Sequence, residues 1–349
     1  MPPSSPLPPI PVAQLDSALE GEQGRWERGR NARILLTGGT GFVGTWLLEL
    51  FCRANQRFNL EAEIWVLSRD PEAFSRRSPH LAQNQAIRFI EGDVRHFSTE
   101  GKAFSHVIHG ATSSSGPFAA SNPLAHLDTI VQGTRRALEV SVSSGVQRFL
   151  YVSSGAVYGP QPTDMEWMDE SYTGAPDPTS PGTCYAQGKR MGEHLCALFT
   201  QQHGLPTVVA RGFAFVGPHL PLDSHFAIGN FIRDGLKGGP IIVQSDGTPF
   251  RSYLNGSDMA RCLWLLLLEG QSGRAYNVGS DQGIQLRELA IVLGQQLGVD
   301  VRILGQPEPG RLPSRYVPSI ARIREELGFE IKISLEDSLQ YTSTWHKSC

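Results

Sequence analysis

Neither sign of charge dominates this sequence: 31 Lys and Arg stand against 34 Asp and Glu, a formal net charge of −3 over 349 residues. So even a balance leaves no electrostatic footprint for nucleic acid or an anionic membrane. Cysteine is scarce. The five (Cys52, Cys184, Cys196, Cys262, Cys349) lie far apart, with no Cys-x-x-Cys, which favours neither a disulfide framework nor a zinc site. That usage fits a reducing cytoplasm, the expected location. Long apolar runs are missing too. The longest, Cys262 to Leu268, is far too short to cross a bilayer and reads as part of a core helix. The opening Met1-Pro2-Pro3-Ser4-Ser5-Pro6 lacks the charged and apolar regions of a signal peptide. The ten histidines show no metal-ligand spacing, and no metal is expected.

What is present is a rhythm. After a Pro-rich tail over residues 1–11 and a short helix packed outside the main fold over 12–30, short apolar runs alternate with helical patterns. Strands are expected at Arg33–Thr37, Glu63–Leu67, Ile87–Ile90, His106–His109, Arg148–Val152 and Thr207–Ala210. Helices are expected at Phe42–Arg53, Leu124–Ser143 and Thr183–His203. Strands that alternate with helices make βαβ units and a parallel sheet covered on both faces. After residue 211 the rhythm breaks and Gly and Pro become frequent. The expected fold is an α/β Rossmann, doubly wound parallel sheet with a smaller C-terminal lobe. The expected division is a tail and helix over 1–30, a dinucleotide-binding domain over 31–211 and a mainly substrate-binding lobe over 212–349.

Between the first strand and helix stands Thr37-Gly38-Gly39-Thr40-Gly41-Phe42-Val43-Gly44. Gly38 permits a tight turn, Gly41 lets the backbone approach a pyrophosphate, and Gly44 lets helix and strand pack closely. The helix start at Phe42 and Val43 offers free N–H groups and a positive dipole end. This is a dinucleotide site in the right context. Farther on, Tyr185 and Lys189 stand at i and i+4 on the long helix and share one face. A nearby ammonium and a positive nicotinamide ring both favour the phenolate of such a tyrosine and turn it into a base.

The Gly-x-x-Gly-x-x-Gly spacing resembles that of the extended short-chain dehydrogenase/reductase family, and the resemblance covers about residues 32 to 343. It implies NAD(P) as cofactor. Glu91-Gly92-Asp93-Val94 matches the family's adenine-side turn, with Asp93 accepting from the adenine amine. His109-Gly110-Ala111 matches the strand end beneath the cofactor. Tyr151-Val152-Ser153-Ser154-Gly155-Ala156-Val157-Tyr158-Gly159 supplies the third catalytic residue, Ser154, which orients the reacting oxygen, while Ser153 reads as a strand-end cap of backbone groups. At the end of the second strand Ser68 and Arg69 replace the acid that would hold an NAD ribose, which favours NADP. The alternative is that Asp70 reaches the ribose.

The closest resemblance is to the nucleotide-sugar branch, the NAD-dependent epimerase/dehydratases. It implies a nucleotide-sugar substrate whose diphosphate is held by Arg251, in Asp246-Gly247-Thr248-Pro249-Phe250-Arg251, and Arg315, in Arg315-Tyr316-Val317-Pro318. Asn230 is expected on the same lobe. Three departures stand out. Gly155 and Ala156 occupy the place of the dehydratases' acidic pair, which argues against 4,6-dehydration. Ile130, in Ile130-Val131-Gln132-Gly133-Thr134, and Ala214 stand where many relatives have Asn. The expected activity is therefore a nucleotide-sugar epimerase or 4-ketoreductase working through a 4-keto sugar. A non-catalytic dinucleotide sensor or scaffold, or a reductase of a non-nucleotide ketone, are the alternatives. The helices at 124–143 and 183–203 resemble the family's dimer-forming pair, so a homodimer is expected.

Overall fold

The structure, a computed structural model, describes residues 6–112, 121–223 and 226–349. Two short helices, α1 (Val12–Ala18) and α2 (Gln23–Trp26), precede the first βα unit, β1 (Arg33–Thr37) and α3 (Phe42–Phe58). β2 (Glu63–Ser68), α4 (Pro71–Arg77), α5 (Pro79–Ala82), β3 (Ile87–Glu91) and β4 (His106–His109) follow. Then come α6 (Pro123–Ser143), β5 (Arg148–Ser154), α7 (Cys184–His203) and β6 (Thr207–Gly212).

These strands and β11 (Arg274–Val278) form one seven-stranded sheet in the order 3-2-1-4-5-6-11. Every pairing in it is parallel. The period-2 alternation of the strands sorts their side chains onto two cores. Ile34, Leu36, Ile108 and Leu150 join the face covered by α3. Leu35, Val107, Phe149 and Tyr151 join the face covered by α6 and α7. The order reverses between β1 and β4, and ligands bind outside the strand ends at such a switch point.

After β6 the chain builds a second lobe and returns to the first. The lobe comprises β7 (Phe215–Val216), α8 (Ala227–Leu236), β8 (Ile241–Val243), β9 (Phe250–Arg251) and β10 (Leu254–Asn255). It continues, beyond α9 (Gly256–Glu269) and β11, with β12 (Ile284–Gln285), α10 (Leu286–Leu297), β13 (Val301–Ile303) and β14 (Arg315–Tyr316). Two helices close the chain, α11 (Ala321–Leu327) and α12 (Leu335–Lys347). α9 is the apolar run of the sequence. It is buried from Gly256 to Leu268, under the sheet, and β11 extends the sheet past the boundary expected at residue 211. Among the described residues no helix is long and apolar enough to cross a membrane.

The N-terminal segment corrects the expectation of a tail and a helix packed outside the fold. Leu15, Leu19 and Trp26 are buried in the same core as Trp264 of α9, and the two indole rings lie 5.0 Å apart. Asp16 takes both guanidinium contacts of Arg53 on α3, at 2.7 and 2.8 Å. Pro8 accepts from the Trp345 indole at 3.1 Å, and the Ile10 N–H donates to Glu49 at 3.3 Å. The physical reason lies in α9. A helix apolar on all sides must be covered on all sides, and α1 and α2 supply part of that cover.

Candidate active site

The glycine-rich turn is built by close approach. A Cβ on Gly38 would stand 2.6 Å from the Gly110 carbonyl oxygen, and one on Gly44 would stand 2.4 Å from the Gly38 oxygen. Gly38 also has φ of 78°, which favours glycine. A Cβ on Gly41, by contrast, would meet only the Gly38 oxygen, at 3.6 Å, so its outer side is open to a ligand. Gly41 caps α3, and the N–H groups of Phe42, Val43 and Gly44 have no intrahelical acceptor. This cradle suits a pyrophosphate. Beneath it Thr37 Oγ1 accepts from the N–H groups of Gly110 and Ala111, at 3.2 and 3.1 Å. Its one proton is left for His109 Nδ1, 2.8 Å away. Burial lowers the His109 pKa to about 3, so this imidazole is a neutral strut.

At the end of β2, Ser68 is buried and Arg69 is exposed. The Asp70 carboxylate caps α4, accepting from the Ala73 N–H at 2.8 Å through one oxygen. Arg77, which the sequence reading passed over, donates to the Thr40 carbonyl and so stands beside the turn. Asp93 is gripped by Arg95 at 2.8 and 3.0 Å, which pulls its pKa down to about 2. Val94 packs on Gly133 of α6, where a Cβ would come within 2.8 Å of it.

β5 runs to Ser154, two residues farther than expected, and delivers its hydroxyl to the strand end. Ser154 Oγ accepts from the Ala156 N–H at 3.2 Å. α7 carries Tyr185 and Lys189 on one face. Lys189 is buried, and its ammonium donates to the Val152 carbonyl at 2.6 Å. It lies 5.9 Å from the centre of the Tyr185 ring. Burial lowers its pKa to about 7, against a favourable Glu193. Burial raises the Tyr185 pKa, and a hydrogen bond with Ser154 offsets part of that rise. His126 of α6, passed over by the sequence reading, lies parallel to the Tyr185 ring with centres 6.2 Å apart. Ser153 differs from expectation: its hydroxyl donates to the Glu193 side chain at 2.6 Å rather than capping backbone. Arg211 pairs with the same carboxylate at 2.7 Å.

The second lobe reaches over this centre. β9 lies between β12 and β14, with Arg251 opposite Tyr316 and Phe250 opposite Arg315. Side chains of paired residues share a face. Arg251 therefore shares a face with Tyr316, while Arg315 is on the other, its guanidinium 4.2 Å above the Phe250 ring. Asn230, on α8, accepts from Arg233 at 3.0 Å. Tyr316 was not singled out from sequence. Its hydroxyl comes within 2.7 Å of where a Cβ on Gly155 would stand, and its ring packs on Phe213 at 4.7 Å. No spacing in the sequence signals this contact.

A family model described as NAD dependent epimerase/dehydratase family matches residues 34–279. UDP-glucuronic acid decarboxylase 6 of Arabidopsis thaliana is 30% identical over 311 residues, which span 88% of this chain and 87% of that protein. Among solved structures, the dTDP-glucose 4,6-dehydratase DesIV of Streptomyces venezuelae, with NAD and TYD bound, has a TM-score of 0.76 at 27% identity and covers 90% of this chain and 97% of its own. The UDP-glucose 4-epimerase of Thermotoga maritima shares the fold, with a TM-score of 0.74 at 23% identity over 90% of this chain and 99% of its own.

Proposed function

Since the chain belongs to the NAD dependent epimerase/dehydratase family, we propose that it works through the 4-keto form of a nucleotide-linked hexose, either as an epimerase that oxidises C4 and reduces it again or as a 4-ketoreductase that reduces it with NAD(P)H. It is an NAD(P)-dependent enzyme of the extended short-chain dehydrogenase/reductase type. One observation carries the finer reading. Ser154, Tyr185 and Lys189 meet at the sheet's C-terminal edge, beside the glycine-rich turn, while residues 155 and 156 carry no acid. Epimerisation and 4-ketoreduction need no acid beyond these three residues, whereas removal of water across C5–C6 does.

The bound nicotinamide supplies hydride acceptance and return, and a positive charge that favours the Tyr185 phenolate. Tyr185 takes the proton of the sugar 4-hydroxyl and gives it back. Lys189 holds the cofactor ribose and, while charged, lowers the Tyr185 pKa. Ser154 donates to the sugar oxygen and fixes its orientation. Gly38, Gly41, Phe42, Val43 and Gly44 cradle the pyrophosphate, and Asp93, Val94 and Ala111 line the cofactor's course. Arg251 and Asn230 belong to the nucleotide-sugar side, whereas Arg315, on the opposite face of its small sheet and stacked on Phe250, does not join Arg251 in one diphosphate clamp. NADP is the preferred form on this reading, because Ser68 and the exposed Arg69 stand at the end of β2 where an acid would hold an NAD ribose. We further propose a homodimer through α6 and α7, where Leu124 and Met191 are exposed apolar residues.

A second reading is favoured by the Arabidopsis decarboxylase. Loss of CO2 from a 4-keto hexuronate needs only the C4 carbonyl as an electron sink, so it too requires no acidic pair. The test incubates the protein with NAD+ or NADP+ and UDP-glucose, UDP-galactose or UDP-glucuronic acid, following cofactor absorbance and product mass. Epimer formation with cofactor retained marks an epimerase. Release of CO2 from the hexuronate marks the second reading. Consumption of NADPH against a nucleotide 4-ketohexose marks a reductase. Failure to transform any of these sugars overturns the proposal.

A further inference from the structure

We propose that Glu193 is a positioning residue for Ser154: its carboxylate holds the strand before Ser154 through Ser153 and the turn after it through Arg211 and Tyr158, and so sets the Ser154 hydroxyl against the helix that carries Tyr185. This rests on the roles given to Ser154 and Tyr185 above. The geometry begins with strand register. Ser153 on β5 pairs with Arg211 on β6, and side chains of paired residues share a face. Both therefore turn to α7, where Glu193 stands one helical turn beyond Lys189. The Ser153 hydroxyl donates to Glu193 Oε1 at 2.6 Å. Arg211 donates to the two carboxylate oxygens through Nε and Nη2, at 3.1 and 2.7 Å. Lys189 donates to the Val152 carbonyl, so two successive residues of β5 are tied to two successive turns of α7.

The far side of Ser154 is tied to the same carboxylate. Arg211 Nη1 donates to the Tyr158 hydroxyl at 2.9 Å, and the guanidinium lies 4.7 Å above the Tyr158 ring. Burial raises the Tyr158 pKa to about 12, so the phenol keeps its proton and donates it to Asn277 Oδ1 at 2.8 Å. Asn277 in turn donates to the carbonyls of Met168 and Ser319, at 2.8 and 3.0 Å. The turn over Gly155–Tyr158 is thus fixed at its last residue and β5 at Ser153. Ser154 lies between two anchors that share one carboxylate. Stability alone does not account for this, because apolar residues of similar volume commonly match a buried ion pair. What apolar residues lack is direction. Glu193 takes no part in proton exchange with the substrate. It fixes where the Ser154 hydroxyl stands.

The Ala156 N–H donates to Ser154 Oγ at 3.2 Å, which makes its exchange with solvent a reporter of that oxygen. The experiment follows amide hydrogen exchange in the full chain, resolved to single residues. Glu193→Gln keeps the volume and removes the charge that holds Arg211. The expected result is that Ala156 exchanges about tenfold faster, the scale of one lost hydrogen bond, while β1 and β4 keep their protection. Ser153→Ala cuts one arm and leaves the ion pair, and should speed the same amide by less. The two changes together should give less than the product of their effects, because both act through one carboxylate. Exchange at Ala156 equal to that of the wild type overturns the proposal. So does a rise spread evenly over the sheet, which marks lost stability alone. Should Glu193→Gln not fold, Ser153→Ala is read in the same way. With whichever nucleotide sugar the wild type transforms, kcat should fall about tenfold in Glu193→Gln while KM holds. A raised KM at constant kcat would instead give Glu193 a part in binding and also overturns the proposal. An inert wild type would sink the 4-keto reading alone, because exchange at Ala156 still decides whether Glu193 holds Ser154.

Discussion

The Tyr316 hydroxyl fills the space in which a Cβ on Gly155 would stand, 2.7 Å away. Residue 155 directly follows the main sheet's fifth strand, and residue 316 comes from the second lobe, so the contact closes one lobe over the other at the reacting centre. Gly155→Ala should therefore act at a distance. Overpacking of this size costs about 1–3 kcal/mol, and the phenol, as the movable partner, should yield first. The expected outcome is a folded protein with turnover reduced about tenfold. Thermal unfolding and steady-state kinetics check it, and unchanged kinetics would show that the phenol has no bearing on turnover.

Tyr185→Phe removes the ionisable hydroxyl and keeps the ring beside His126. Folding and cofactor binding should survive. Hydride transfer should slow by about 10²–10⁴-fold, the usual worth of a positioned acid–base group. Cofactor absorbance under single-turnover conditions measures it. Undiminished transfer would remove Tyr185 from the mechanism.

Lys189 gives a pH signature. In the fold its pKa is lowered to about 7, against an ordinary value of 10.5. Between those values the unfolded chain binds more protons, so through this group stability rises as pH increases. Below pH 7 the fold carries the full cost of the buried ammonium. Lys189→Met abolishes that cost, so the variant's stability relative to the wild type should be greatest at low pH and should decline as pH rises. Urea unfolding of the cofactor-free proteins at roughly pH 6.5 and pH 9 tests the sign. A difference independent of pH contradicts it. Cofactor affinity should fall in the variant, since the ribose loses a partner.

Arg69→Ala probes the choice of dinucleotide. If the exposed guanidinium meets a 2′-phosphate, NADP affinity should drop about tenfold or more. NAD affinity should stay nearly constant. Calorimetric titration with both cofactors decides, and a wild type that prefers NAD refutes the assignment.

Trp26→Ala tests the N-terminal segment. The indole is buried against Trp264 and, by its removal, should cost about 3–5 kcal/mol. Denaturant unfolding monitored by far-ultraviolet circular dichroism reads the loss. A cost below about 1 kcal/mol would mean that the helix is an accessory.

Most of the main sheet was legible because its signals are local. An apolar run followed by Gly38, Gly41 and Gly44 predicts a strand, a turn and a helix whatever the rest of the chain does. Tyr185 and Lys189 share a face because the helix repeat puts i and i+4 together. The second lobe was less legible. Its strands are two or three residues long, too short for an alternation to register.

By itself the sequence determined the βαβ rhythm, the cofactor turn, the Tyr185–Lys189 pair and the missing acids at 155 and 156. Each depends on neighbours within a few turns of chain. Tertiary structure alone decided the rest. Strand register set Arg251 and Arg315 on opposite faces of a small sheet, which no reading of either segment contains. The all-round burial of α9 drew Trp26 into the core, although the pattern around Trp26 is weakly amphipathic. Pairing of β9 with β14 carried Tyr316 to Gly155. Hydrophobic and hydrogen-bonding preferences state what a residue needs, and only the path of the chain in three dimensions states which distant residue meets that need.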